Sequence, residues 1–193
     1  MPGAGNRARP ELVPDGAGLL PVRRTCARNL RYACLMSEIK PANFPGDLEQ
    51  VVAIFREYIA SPSVDLGFQD YKAEFATLPG KYAAPDGRLL LAWKGQAVVG
   101  CAALRRVDES TCEMKRVYVR PDARGENLGR RLVESIVTEA RAAGYARICL
   151  DVLPEFSAAQ RIYESMGFQP AAPVAFNPVP GTKFLALELN HRT

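Results

Sequence analysis

Apolar positions along this chain follow two rhythms, and the changes between them mark out its elements. Asp47 opens a stretch in which Leu48, Val51, Val52, Phe55 and Ile59 recur at three- and four-residue intervals, which predicts a helix ended by Ser61-Pro62-Ser63. A weaker helix is expected from Gln69 to Leu78, before Pro79-Gly80. Beyond the turn Pro85-Asp86-Gly87 the pattern changes to β-type runs: Leu89 to Trp93, Ala97 to Arg105 and Thr111 to Val119. Lys94-Gly95-Gln96 and Asp108-Glu109-Ser110 are tight turns between them, so these three strands form an antiparallel meander. Leu128, Leu132, Val133, Ile136, Val137 and Ala140 restore the helical rhythm, closed by Ala143-Gly144. Arg147 to Leu153 is then an apolar strand, and its helical connection places it parallel to Thr111–Val119. Ser157 to Ser165 is a further helix, and Phe168 to Leu189 holds two last strands around residues 176–181. Leu35 to Ile39 is expected as a short first strand.

No such rhythm precedes Val22. Residues 1–35 carry repeated proline and glycine and are expected to be a disordered extension, leaving a domain of residues 36–193. Met36 stands directly before the first patterned segment and is a candidate translation start. The net charge of +4 sits wholly in the leading segment: residues 1–40 hold seven Arg/Lys and three Asp/Glu, residues 41–193 eighteen of each. The domain is neutral, which argues against a nucleic-acid binder. No apolar run approaches the roughly 20 residues that span a bilayer. Five scattered cysteines without a Cys-x-x-Cys pair read as free thiols in a reducing, cytoplasmic setting, with Cys101 and Cys149 inside apolar strands. The single histidine, His191, leaves no basis for a zinc site, a metal centre or a Cys-His nucleophile.

One junction carries candidate chemistry. The run Val117-Tyr118-Val119 stops at Pro121, a short loop holds Gly125 and Gly129 around Asn127, and a helix follows. A strand–turn–helix unit of this kind aims backbone N–H groups and the positive end of a helix dipole at one point, where phosphate oxygens bind. Packing alone also places glycine at such junctions. Lys115, Arg116, Arg120, Arg124, Arg130 and Arg131 outnumber Asp122 and Glu126 around it, a basic patch suited to several phosphates.

Arg124-Gly125-Glu126-Asn127-Leu128-Gly129 resembles the acetyl-CoA signature of the GNAT family of N-acetyltransferases, Gln/Arg-x-x-Gly-x-Gly/Ala, with Asn127 where glycine is usual. Asn tolerates a left-handed backbone best among residues with a side chain. Glu113 to Val119 is similar to the family's central strand, Ile148 to Val152 to its next strand, and Tyr163-Glu164-Ser165-Met166-Gly167-Phe168 to its Tyr-x-x-x-Gly-Phe ending. The resemblance implies a mixed α/β fold: a strongly twisted, mostly antiparallel sheet of about seven strands, flanked by about four helices and splayed open where acetyl-CoA binds. It further implies an acetyl-CoA-dependent transferase acting on a small amine or amino acid, as a monomer or homodimer, with no nucleic-acid or membrane partner. A non-catalytic sensor or scaffold that binds CoA is the alternative.

Carried over by position, Val117 and Val119 would pair with the pantetheine arm. Arg124, Gly125, Glu126, Asn127, Leu128, Gly129 and Arg130 would hold the pyrophosphate. Tyr163 would protonate the departing thiolate, and Glu113 would relay a proton from the amine. Tyr163 is otherwise a core aromatic, and Glu113 an exposed or salt-bridged strand glutamate. Phe156 stands where relatives have a CoA-touching asparagine. Phe68, Gln69, Tyr71, Tyr82 and Asn177 are the expected acceptor residues, a mixture of aromatic and neutral polar groups.

Overall fold

The computed structural model describes residues 36–189; the expected extension of residues 1–35, Cys26, Cys34 and His191 lie outside the described residues. Seven strands form one sheet: β1 (Glu38–Pro41), β2 (Arg88–Lys94), β3 (Ala97–Arg106), β4 (Thr111–Val119), β5 (Arg147–Val152), β6 (Gln169–Pro170) and β7 (Lys183–Glu188). Their order is β1-β2-β3-β4-β5-β7-β6. Only β4 and β5 are parallel neighbours; every other adjacent pair is antiparallel. Four helices accompany it, α1 (Leu48–Ala60), α2 (Tyr71–Ala76), α3 (Leu128–Ala142) and α4 (Ser157–Ser165). This is the mixed, mostly antiparallel architecture that the resemblance implies, with the meander and the parallel β4–β5 pair read from the pattern.

Two apolar layers hold the sheet. On one face α3 buries Leu128, Leu132, Val133, Ile136, Val137 and Ala140 against Leu90, Ala102, Met114, Ile148 and Leu150. That stripe is the one read from the sequence. Burial of a side chain such as Leu132 or Ile136 contributes roughly 1.5–3 kcal/mol. On the other face α1 packs Val51, Ile54 and Phe55 on Leu89, Leu91, Cys101 and Ala103. The predicted stripe of α1 is corrected here. Ile54 is fully buried and Leu48 is exposed, because the helix is rotated so that Tyr58 reaches Tyr118, 6.5 Å between ring centres.

Three other expectations change. β1 starts at Glu38, three residues after the expected Leu35, where its ladder with Trp93 begins. α2 spans only Tyr71–Ala76 and follows a 3₁₀ turn at Gly67–Gln69, with Asp70 at φ 48° between them. A left-handed residue cannot continue either helix, so the two stay separate. The expected strand after Phe168 reduces to Gln169–Pro170, with residues 171–182 forming a loop before β7.

The central strand contains the feature that shapes the cleft. Cys101 faces Tyr118 and Ala103 faces Lys115, so Arg116 and Val117 together oppose Ala102 in a β-bulge. Arg116 takes φ 57° there. The extra residue reverses the alternation: Cys112 and Met114 before it, and Val117 and Val119 after it, all face the α3 layer. Beside this bulge β4 and β5 part. Their pairing runs from Thr111↔Arg147 to Glu113↔Cys149 and then ends.

Candidate functional site

The gap between the parted strands is a cleft of about 580 Å³. Met114 to Val119 of β4 form one wall and Leu150 to Leu153 the other. The start of α3 closes one end, Phe156 to Tyr163 of α4 lie along the β5 side, and Tyr58, Ser61, Leu66 and Gln69 close the remaining end. Past Glu113 the edge of β4 facing β5 has no strand on it, so its N–H and C=O groups are open to an extended ligand.

At the α3 end the loop takes a form only certain residues permit. Gly125 lies at φ 95° and Asn127 at φ 58°, the left-handed region expected for Asn127. A side chain on Gly129 would point between Ile162 Cδ1 and Val119 Cγ2, 3.5 and 3.9 Å from the new Cβ, which is across the cleft wall. The Arg124 N–H is used, bonding the Pro121 carbonyl at 3.3 Å, and the helix ladder starts with the Arg131 N–H on the Asn127 carbonyl at 3.1 Å. Between them the N–H groups of Gly125, Glu126, Asn127, Leu128, Gly129 and Arg130 have no acceptor among the described residues. Six consecutive unpaired donors at a helix start form a ready anion cradle.

Side chains around the cradle divide. Arg124, whose Nε donates to the Val119 carbonyl, and Arg130, which donates to Ser165 Oγ, line the cleft. Glu126 turns away and pairs with Lys94 at 2.8 Å. The other four members of the expected basic patch are committed elsewhere, which corrects that reading. Arg120 forms a two-pronged pair with Glu57, Arg131 donates to the Ser37 carbonyl, and Lys115 and Arg116 lie in ion pairs at the far end of the cleft.

Tyr163 lines the cleft and is 6% exposed, its ring tilted against Phe168 with centres 5.6 Å apart. Burial pushes its hydroxyl above the ordinary value of 10.0, so it stays protonated. Glu113 takes the second of its two expected forms, a salt-bridged strand glutamate, and not that of a free relay. It is 1% exposed, off the cleft wall, with one oxygen on Arg105 at 2.6 Å and the other on Lys115 at 3.2 Å. Both oxygens are occupied by cations, so it reaches the cleft only through Lys115.

The carboxylate that does line the cleft is Asp151, which the sequence reading missed. It sits in β5 where the strands have parted, accepting from Lys115 Nζ at 3.0 Å and Asn177 Nδ2 at 2.6 Å. Burial alone would raise its pKa; Lys115 and the Asn177 hydrogen bond outweigh that and hold it below the ordinary 3.8. A lone acid in an otherwise apolar strand, Ile148-Cys149-Leu150-Asp151-Val152, was the signal available. Of the expected acceptor residues, Gln69 lines the cleft and Asn177 touches it through Asp151. Phe68, Tyr71 and Tyr82 are not on its wall: Tyr82 is buried against Phe55 at 6.0 Å and Tyr71 packs on Phe75. Phe156 lines the cleft, and Gln160 one turn on ties α4 to the end of β5 by donating to the Leu153 carbonyl at 2.9 Å.

The sequence pattern of the acetyltransferase (GNAT) family matches residues 51–168. An uncharacterised N-acetyltransferase of Schizosaccharomyces pombe is 35% identical over 154 residues, covering 79% of this chain and 94% of that protein. Among solved structures, an acetyltransferase from Streptococcus agalactiae superposes with TM-score 0.64 at 26% identity, over 79% of this chain and 98% of the other. The Salmonella typhimurium protein yncA, solved with its cofactor acetyl-CoA, superposes with TM-score 0.59 at 23% identity, over 81% and 96%.

Proposed function

This chain belongs to the GNAT family of acetyltransferases, and from that membership we propose that it moves an acetyl group from acetyl-CoA directly to a primary amine of a small molecule. The observation that carries the reading is the row of six unpaired backbone donors, Gly125 to Arg130, set beside an open strand edge and the Tyr163 hydroxyl in one cleft.

The residues present fit acetyl-CoA. The amides of Gly125 to Arg130 would hold the pyrophosphate, with the Arg124 and Arg130 guanidinium groups nearby on the wall. Backbone groups of Val117 and Val119 would pair with the pantetheine arm. An acetyl thioester is what the co-substrate supplies: the amine nitrogen bonds to the acetyl carbon and the carbon–sulfur bond breaks. No protein nucleophile is required. Cys112 and Cys149 are buried, their thiols pushed up to about 12 and about 11, which keeps them protonated.

Tyr163 gives a proton to the leaving sulfur, whose own thiol pKa of roughly 8.5 is far below that of the buried hydroxyl. The transfer is therefore a strong hydrogen bond that completes only as the acetylated ammonium gives its own proton back to the tyrosinate through water in the cleft, so that neutral amine and thioester leave as amide and thiol. Asp151, ionised throughout, receives the amine and steers its lone pair; Lys115 and Asn177 keep the carboxylate in place. Glu113 acts behind it through Lys115. Rate arises from holding the two reactants together more than from acid–base strength. The three free, buried thiols, Cys101, Cys112 and Cys149, suit a reducing compartment such as the cytoplasm. Among the described residues no helix is long and apolar enough to cross a membrane.

The test is thiol release from acetyl-CoA in the presence of a broad panel of small amines, with mass detection of the product amide. Release that needs both protein and amine is expected. Binding of acetyl-CoA without turnover on any amine would instead favour a CoA-binding sensor or scaffold.

A further inference from the structure

The segment joining α1 to β2 forms the acceptor-side wall of the cleft, and one side chain fastens it to the sheet. Arg116, 1% exposed, donates from Nε and Nη2 to the two oxygens of Glu74 at 2.8 and 3.0 Å. Its Nη1 donates to Gln69 Oε1 at 2.6 Å. A left-handed arginine is strained, and three charge-assisted hydrogen bonds tie its side chain to this segment, so side chain and bulge are held as one unit.

This fixes the orientation of Gln69. A guanidinium only donates, so the amide oxygen must face Arg116 and the amide cannot turn over. Gln69 Nε2 therefore points away from Arg116, and it donates to no described residue. Gln69 lines the cleft, which leaves two oriented N–H donors there without an acceptor. Charge immediately around Arg116 is unbalanced in the same sense. Glu74 serves both Arg116 and Lys81, the latter at 2.6 Å, one anion for two cations. The adjoining network of Arg105, Lys115, Glu113 and Asp151 is balanced, two against two. Glu155, the other carboxylate on the wall, keeps its charge while accepting from the Ser63 N–H and hydroxyl at 3.2 and 3.0 Å, so the oriented Gln69 donors, and not the net charge of the cleft, favour an anion here.

We infer that the acceptor carries an anionic oxygen group, a carboxylate, received by the Nε2–H₂ of Gln69, so that the substrate class is an amino acid rather than a simple amine. The inference rests on the acetyl-transfer reading above. The amine end then lies toward Asp151 and the carboxylate end toward Gln69, and Arg116 is a positioning residue that acts through the Gln69 amide.

The experiment compares amino acids with their carboxamides and decarboxylated amines as acceptors, following thiol release. A hydrogen bond to a charged group corresponds to about ten- to a hundredfold in kcat/KM, so the native protein should prefer the amino acids by at least tenfold. Gln69→Leu should bring the three kinds of acceptor within about threefold. Gln69→Glu keeps an oxygen for Arg116 but presents a second one to the cleft, and should reverse the preference. Arg116→Lys should raise KM for the amino acid several-fold while KM for acetyl-CoA stays unchanged. Equal use of amines and amino acids by the native protein, or a preference that survives Gln69→Glu, would overturn the inference. If acetyl-CoA binds and no acceptor is turned over, the acetyl-transfer reading itself fails and this one falls with it.

Discussion

Replacing Tyr163 by Phe removes one hydroxyl from the cleft and nothing else. The ring keeps its contact with Phe168, centres 5.6 Å apart, and the hydroxyl makes no hydrogen bond to the described residues that the mutation would break. Stability should therefore change by less than about 0.5 kcal/mol, a melting shift within about 2 °C for a protein of this size. Acetyl-CoA affinity should stay within about twofold, since its proposed contacts are backbone groups of β4 and the Gly125–Arg130 loop. Turnover should not survive as well. Loss of a positioned proton donor costs about 10²–10⁴ in rate, which is about 2.7–5.4 kcal/mol of barrier. The lower end is the better expectation, because a thiolate of pKa roughly 8.5 leaves tolerably without help. The assay is thiol release at saturating acetyl-CoA, with calorimetric titration of acetyl-CoA and a melting curve as controls. A folded Tyr163→Phe protein with native affinity and native kcat would refute the reasoning and return Tyr163 to the core.

Gly129→Glu places a carboxylate between Val119 and Ile162 at the anion cradle; acetyl-CoA affinity should fall more than about a hundredfold by calorimetry in a protein that still melts cooperatively. Lys94 neutralises Glu126, the one acid among Gly125–Arg130, so Lys94→Met should weaken acetyl-CoA a few-fold and Glu126→Gln tighten it, with both effects shrinking in high salt; no change in either variant would show that Glu126 is not sensed at the site. The pH profile follows from the two shifted groups. Asp151, lowered, is ionised from below 3.8 upward, and Tyr163, raised, is neutral to beyond 10.0. Between pH 6 and 9 only the amine titrates, so kcat/KM should rise about tenfold per pH unit toward the amine's own pKa, and a bell centred near neutrality would exclude this pair.

The elements set by short repeating patterns were legible without coordinates. The stripe of α3 from Leu128 to Ala140, the β2–β4 meander and the stop at Pro121 each depend on residues within a few positions of one another. So does the left-handed turn at Asn127, where the choice of side chain and the backbone angle are one local fact. That is why the loop from Gly125 to Arg130 and Tyr163 could be picked out as candidates from spacing and resemblance, and the structure brings them to one cleft. The acceptor side could not be. Arg116 meets Gln69 and Glu74, 47 and 42 positions earlier, and Lys115 meets Asp151, 36 positions later. Nothing in a local pattern tells a basic residue that will bind phosphate from one that will be consumed by a distant carboxylate. The bulge at Arg116 compounds this, because one extra residue reverses which side chains face the cleft while leaving composition unchanged. For the same reason Glu113 read as an available base, whereas Arg105 and Lys115 occupy both of its oxygens. Local chemistry chose the turn and the helix that leave a row of backbone donors unpaired; only the folded packing of distant segments decided which charges remain free beside it.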